Sequence, residues 1–158
     1  MKILLEVEFI KLSIMLKGID PVISPELLKI LCEMGHGDEI VFGDGNFPAV
    51  TLAQRLIRAD GLNIPRLLEA VLCLIPLDYA VDYSAVVMEY RSSEEPNVWS
   101  QYRELIACLS DEDKPLLILS KAEFYQRASK AYCIIATGEN ESFANVIIKK
   151  GVVKSVWK

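Results

Sequence analysis

Short apolar runs of strand length alternate with segments of helical period along most of this chain, and that alternation is what most limits how it can fold. Residues 40–42 (IVF), 85–88 (AVVM), 116–119 (LLIL), 133–136 (CIIA) and 145–148 (NVII) are too short for helices and read as buried strands. Between them lie helix signatures. Ser24 can cap and Pro25 suits the first helical position, after which Leu27, Leu31 and Met34 recur at i, i+4, i+7 and Gly35 stops the pattern. Pro65 opens a second helix with Leu67, Leu68, Val71, Leu72 and Ile75 on its apolar face, closed by Pro76. Val98, Tyr102, Leu105 and Leu109 mark a third, and residues 122–131 a fourth with Phe124 and Ala128 inward. Strands alternating with helices predict an α/β fold, a layered sheet of mostly parallel strands flanked by helices. The last two strands are joined by the turn-rich TGENES and no helix, which predicts a C-terminal strand pair of antiparallel character.

At 158 residues the chain forms a single domain. Hydrophobic residues make up 52%, which excludes disorder and leaves more apolar surface than a lone small domain needs, so a homo-oligomer is expected. The net charge is −5 with no basic run, which argues against a nucleic-acid partner. No apolar run reaches the length of a membrane span. Cys32, Cys73, Cys108 and Cys133 are far apart and form no C-x-x-C, so they are expected to be reduced, core-filling residues of a cytoplasmic protein. Residues 1–14 (MKILLEVEFIKLSI) carry Glu6, Glu8 and Lys11, which interrupt any signal-peptide core. Leu5, Val7 and Phe9 alternate with Glu6 and Glu8 as in a half-buried strand, so residues 1–14 are read as an N-terminal extension and 15–158 as the domain. RSSEEPN (91–97) reads as a surface loop.

Dinucleotide, P-loop and nucleophile-elbow fingerprints are absent. With one histidine, a multi-histidine metal site is impossible. Three places remain. His36 sits between Gly35 and Gly37 in EMGHGDEI; alone, it fits an ordinary loop histidine as well as a catalytic one. FGDGNFPA (42–49) takes a strand into Asp44 and Asn46, which suits a polyol at a strand's C-terminal edge and equally suits an Asp-Gly turn. Tyr125 follows the inward Phe124, so its hydroxyl needs either a protein partner or a substrate, and Asn145 at a strand start is equally open.

The segment LKGIDPVISPELLKILCEMGHGDEIVFGDGNFPA (16–49) resembles the N-terminal pattern of the fucose mutarotase family, relatives of bacterial ribose pyranase. IRADGLNIPRLLEAVL (57–72), PLD (76–78), FYQRASKAY (124–132), ATGE (136–139) and IIKKGV (147–152) continue that resemblance in order. GHGDE together with RADG points to the fucose branch rather than the ribose branch. The resemblance implies an isomerase that interconverts the α and β anomers of a monosaccharide, L-fucose above others, without a cofactor or metal and as a homo-oligomer. It implies that His36 is catalytic, that Tyr125 is an acid or base, and that Asp44, Asp78 and Asn145 bind sugar. An imidazole, ordinarily titrating near ~6.5, suits the proton removal and delivery that ring opening needs.

Two departures from the family's pattern touch these positions. Phe143 stands where a tyrosine is usual before x-Asn, which keeps a ring face for the sugar and loses a hydroxyl. Lys121 stands where an arginine is usual, which keeps the charge and loses the bidentate fork. The loop after Ala49 is also shorter than usual. They leave two alternatives to L-fucose mutarotation: another sugar such as ribose, or sugar binding without turnover. If residues 40–42 are extended, His36 and Asp44 lie ~20 Å apart at ~3.3 Å per residue, so either the chain folds back around the glycines or each site borrows residues from a neighbouring subunit, and the second is expected.

Overall fold

The structure is a computed structural model that describes residues 15–110 and 113–154. The strand expected within residues 1–14 lies outside the described residues. Ser24 starts helix α1 (Pro25–Glu33) by accepting the Leu27 N–H at 3.1 Å, with Pro25 in the first turn. Strand β1 (Glu39–Gly43), the short helix α2 (Ala49–Leu52), strand β2 (Leu56–Ala59) and helix α3 (Ile64–Leu72) follow. Asn63 caps α3 by accepting the Arg66 N–H at 3.0 Å. The chain continues as β3 (Ala85–Met88), α4 (Asn97–Leu109), β4 (Leu116–Leu119), α5 (Lys121–Ala128), β5 (Cys133–Thr137) and β6 (Val146–Lys149). Ser120 and Glu123 close a capping box on α5.

The six strands form one sheet in the order β2-β5-β1-β6-β3-β4. β1 and β2 run parallel to β5, and β3 runs parallel to β4. β6 is antiparallel to both of its neighbours, β1 and β3. Five strands therefore share one direction and β6 alone is reversed. The α/β layering and mostly parallel sheet match the expectation. The last two strands supply the antiparallel element, although β5 and β6 do not pair with each other: each pairs with β1, one on either side. The 138–145 connection straddles the end of β1 and is pinned to it, with Gly45 N–H donating to Glu139 O at 2.8 Å and Thr137 Oγ1 to Gly43 O at 2.7 Å.

Both faces of the sheet are covered, which is why its strands read as unbroken apolar runs. On one face Ile40, Phe42, Val87, Ile135 and Val146 pack under α1, α3 and α4. On the other, Val41, Val86, Ile134 and Ile147 pack under Phe124 and Ala128 of α5. β2 was not apparent from sequence, because it is a short edge strand with Arg58 exposed and only Ile57 buried. The cysteines correct an expectation: Cys133 is a core residue, but Cys32, Cys73 and Cys108 are exposed, each a free thiol. The loop 91–96 is exposed on the surface as expected. No helix among the described residues is long and apolar enough to cross a membrane.

Candidate active site

At the end of the sheet where β1 begins, the sequence builds a turn around His36. Lys150 Nζ donates to the carbonyls of Leu31 at 2.9 Å and Met34 at 2.6 Å, satisfying groups that the end of α1 leaves open. Gly35 N–H donates to Asp38 Oδ2 at 2.7 Å, and Gly37 N–H to Lys150 O at 2.8 Å. Gly37 adopts φ +86°, a conformation that glycine reaches without steric cost. The His36 side chain stays 53% exposed, projecting from a turn whose backbone is tied down on both sides.

Asp78 meets it from the segment after α3. Asp78 N–H donates to Lys149 O at 3.0 Å and Gly151 N–H to Pro76 O at 2.8 Å, so residues 76–78 lie along the end of β6. A Cβ on Gly151 would fall 2.3 Å from Leu77 O, so only glycine permits this approach. Asp78 Oδ1 lies 3.3 Å from His36 Nε2 and accepts the Ala80 N–H at 3.0 Å. Burial works against ionising Asp78, but the Ala80 amide, His36 and Lys149 together outweigh it and hold the carboxyl below its ordinary value. The buried carboxylate is thus charged and turned toward the one imidazole.

At the opposite edge, where the five parallel strands end, a second group of side chains converges. Asp44 follows β1, is 8% exposed, and accepts the Asn46 N–H at 2.9 Å. Its own N–H donates to Asn145 Oδ1 at 2.8 Å, which binds the approach to β6 to the end of β1. Burial raises the Asp44 carboxyl, with Glu139 adding to the rise while the Asn46 and Phe47 amides and Asn145 oppose it. Tyr125 of α5 packs its ring edge-on to Phe47 at 5.3 Å, and Lys121 Nζ stands 5.3 Å from the Tyr125 ring centre. Burial first, then Asp44, pushes the Tyr125 hydroxyl up, so it remains a neutral donor. Phe143 is half-buried beside this cluster and has φ +60°.

The seven candidate residues therefore fall into two groups. His36 and Asp78 form one; Asp44, Lys121, Tyr125, Phe143 and Asn145 form the other. The five-residue β1 between them spans ~16 Å at ~3.3 Å per residue, longer than a monosaccharide. Residues that hold these groups in place escaped local sequence reading. Lys150 and Gly151 shape the His36 end, while Thr137 and Glu139 shape the Asp44 end. Glu139 is buried, and its carboxylate accepts the N–H of Ile64 at 3.2 Å and of Glu141 at 3.0 Å. The signal that could have found them was their place inside ATGE and IIKKGV, not any spacing of their own. Among the described residues no group of three or more His, Cys, Asp or Glu side chains could hold a metal ion.

Comparison with known proteins shows the family. A family model described as the RbsD / FucU transport protein family matches residues 17–153. The fucose mutarotase of Mus musculus is 48% identical over 146 residues, covering 87% of this chain and 95% of the mouse protein. The L-fucose mutarotase of Haemophilus influenzae is 46% identical over 140 residues, covering 87% and 97%. Among solved structures, the fucose mutarotase of Streptococcus pneumoniae in complex with L-fucose is 49% identical, with a TM-score of 0.83 over 88% of this chain and all of that one.

Proposed function

This chain belongs to the RbsD / FucU transport protein family, and on that premise we propose that it is an L-fucose mutarotase, an isomerase that interconverts the α and β anomers of the sugar. The observation that carries this reading is its likeness, at 49% identity and TM-score 0.83 across nearly the whole domain, to a fucose mutarotase that binds L-fucose.

Mutarotation removes a proton from the anomeric hydroxyl and delivers one to the ring oxygen as the bond from the anomeric carbon to that oxygen breaks. The open aldehyde turns about its bond to the next carbon and closes on its other face, returning both protons. His36 and Tyr125 are the groups suited to these transfers. Asp78 takes one ring nitrogen of His36, which fixes the tautomer and leaves the other for the sugar; its second oxygen is left for a sugar hydroxyl. Tyr125, neutral throughout, serves as a hydroxyl donor or relay. Asp44, Asn145 and Lys121 hold the sugar hydroxyls during the open-chain interval, and Phe143 offers a ring face.

Because the two groups stand at opposite edges of the sheet, each site joins the His36 end of one subunit to the Asp44 end of another in a homo-oligomer. Apolar side chains left exposed, among them Val50, Ile118 and Val153, are consistent with faces buried between subunits. The catalytic unit is 15–158, with residues 1–14 as an extension whose deletion should leave turnover unchanged. The four free thiols fit a cytoplasmic enzyme, which thiol titration of protein quenched in living cells would test.

Anomer-exchange NMR on L-fucose and D-ribose, with wild type and His36→Ala, tests the function. Exchange faster than buffer on L-fucose, lost in His36→Ala, is the expected result. Preference for D-ribose would move the substrate, with Lys121 and Phe143 the first residues to revert. No acceleration on either sugar would refute enzymatic turnover, and acceleration that survives His36→Ala would refute the role given to the imidazole.

A further inference from the structure

Among the described residues Phe143 is the one non-glycine with a positive φ. A bulky side chain in the left-handed region is disfavoured, and it persists only where its surroundings over-determine it. Those surroundings are specific here. Helix α4 sends Trp99 Nε1–H to Phe143 O at 3.1 Å and the Tyr102 hydroxyl to Ala144 O at 2.7 Å. Both aromatic side chains are fully buried, and Tyr90 braces Trp99 with its ring edge-on at 5.3 Å. The third residue in line, Asn145, is bound from the other side by the Asp44 N–H. Three consecutive residues are thus each pinned by a polar contact, two of them from a helix whose aromatics pack on the opposite face of the sheet from Tyr125.

We propose that Trp99 and Tyr102 are positioning residues for the sugar, holding residues 143–145 in the strained conformation that aims the Phe143 ring and the Asn145 amide at the substrate beside Asp44. The sugar part of this inference rests on the mutarotase reading. Neither aromatic touches substrate. Their donors fix two backbone carbonyls, and the backbone fixes the side chains that bind.

The test compares Tyr102→Phe, which removes one hydroxyl, with Ile106→Val, which removes a methyl from a fully buried site one turn along the same helix. Two quantities are read: hydrogen exchange at the Asp44 amide, which Asn145 holds and which needs no sugar, and KM and kcat for L-fucose anomer exchange. Tyr102→Phe should speed Asp44 exchange and raise KM, each by about fivefold, the factor that one ordinary hydrogen bond amounts to, with kcat nearly unchanged. Ile106→Val should move neither. Equal changes in the two variants, or unchanged Asp44 exchange in Tyr102→Phe, overturn the proposal. Faster exchange with unchanged KM overturns its link to the sugar. If wild type turns over no sugar, the mutarotase reading fails and the Asp44 amide still decides whether the clamp exists. Should Tyr102→Phe not fold, Trp99→Phe, which drops the bond to Phe143 O, takes its place in the same comparison.

Discussion

Two inactive variants should restore turnover to one another when their subunits are mixed. His36→Ala removes the imidazole from the edge where β1 begins, and Asp44→Asn removes the carboxylate from the edge where it ends. The strand between them spans ~16 Å, so no single sugar bridges the two positions within one chain. If each site takes its His36 half from one subunit and its Asp44 half from a neighbour, a site is intact only when the first comes from an Asp44→Asn chain and the second from a His36→Ala chain. Random exchange then makes the intact fraction the product of the two chain fractions, which peaks at about a quarter of the wild-type rate in an equal mixture of a symmetric assembly. The assay is anomer-exchange NMR on co-refolded mixtures across a range of ratios, with native mass spectrometry to verify mixed assemblies. A recovery curve that follows this product supports the shared site. Mixed assemblies that recover nothing at any ratio would refute it, since a site wholly within one chain always lacks one of its halves.

Other substitutions probe single elements. Burial holds the Asp44 carboxyl above its ordinary 3.8, so the folded protein keeps that proton more tightly than the unfolded chain, and stability is lost as pH rises from there through the folded-state value. Asp44→Asn should therefore melt higher than wild type at neutral pH, with the gain closing in acid, while its binding of the sugar weakens; a pH-independent gap between the melts would contradict this. Gly37→Ala meets no steric obstacle but must hold φ +86°, so it should cost ~1–2 kcal/mol in urea melts and lower kcat; an unchanged midpoint would show that the turn relaxes freely. Lys150→Met keeps the aliphatic stem and strips the cap from α1, with an expected loss of ~1–3 kcal/mol and a fall in kcat greater than the rise in KM. A pure stability loss with normal kcat would detach Lys150 from the His36 turn.

The layered fold was legible because strands covered on both faces must be apolar at every position, as residues 85–88 are, and because Ser24-Pro25 and Pro65 mark helix starts by local chemistry. The edge strand β2 was not, since a strand with a single buried side chain carries no comparable run. The candidate side chains stood out as types in glycine-rich or border positions, and the resemblance, not their spacing, suggested roles for them. Their division between two edges followed from the extended stretch after His36. The supporting shell stayed hidden for a different reason. Lys150 acts on the carbonyls of Leu31 and Met34, Tyr102 on that of Ala144, and Glu139 on the amide of Ile64. Contacts of this kind join a side chain to backbone far away in sequence, and backbone groups are the same at every residue. The cysteines erred in the opposite direction: an apolar neighbourhood in sequence did not decide which side of a helix Cys32 or Cys108 would occupy.

The separation of the two side-chain groups also bears on how such an enzyme changes over generations. Lys121 and Phe143, the two positions that depart from the usual residues, both lie at the Asp44 edge, on the far side of a rigid buried strand from His36 and Asp78. Within one chain, substitutions at that edge leave untouched the Lys150 contacts that hold the turn carrying the imidazole. Positions that hold hydroxyls can then vary at one end of the sheet without disturbing the backbone that aims His36 at the other, whereas Tyr125, which shares the Asp44 end, is tied to the proton transfers on the reading proposed above.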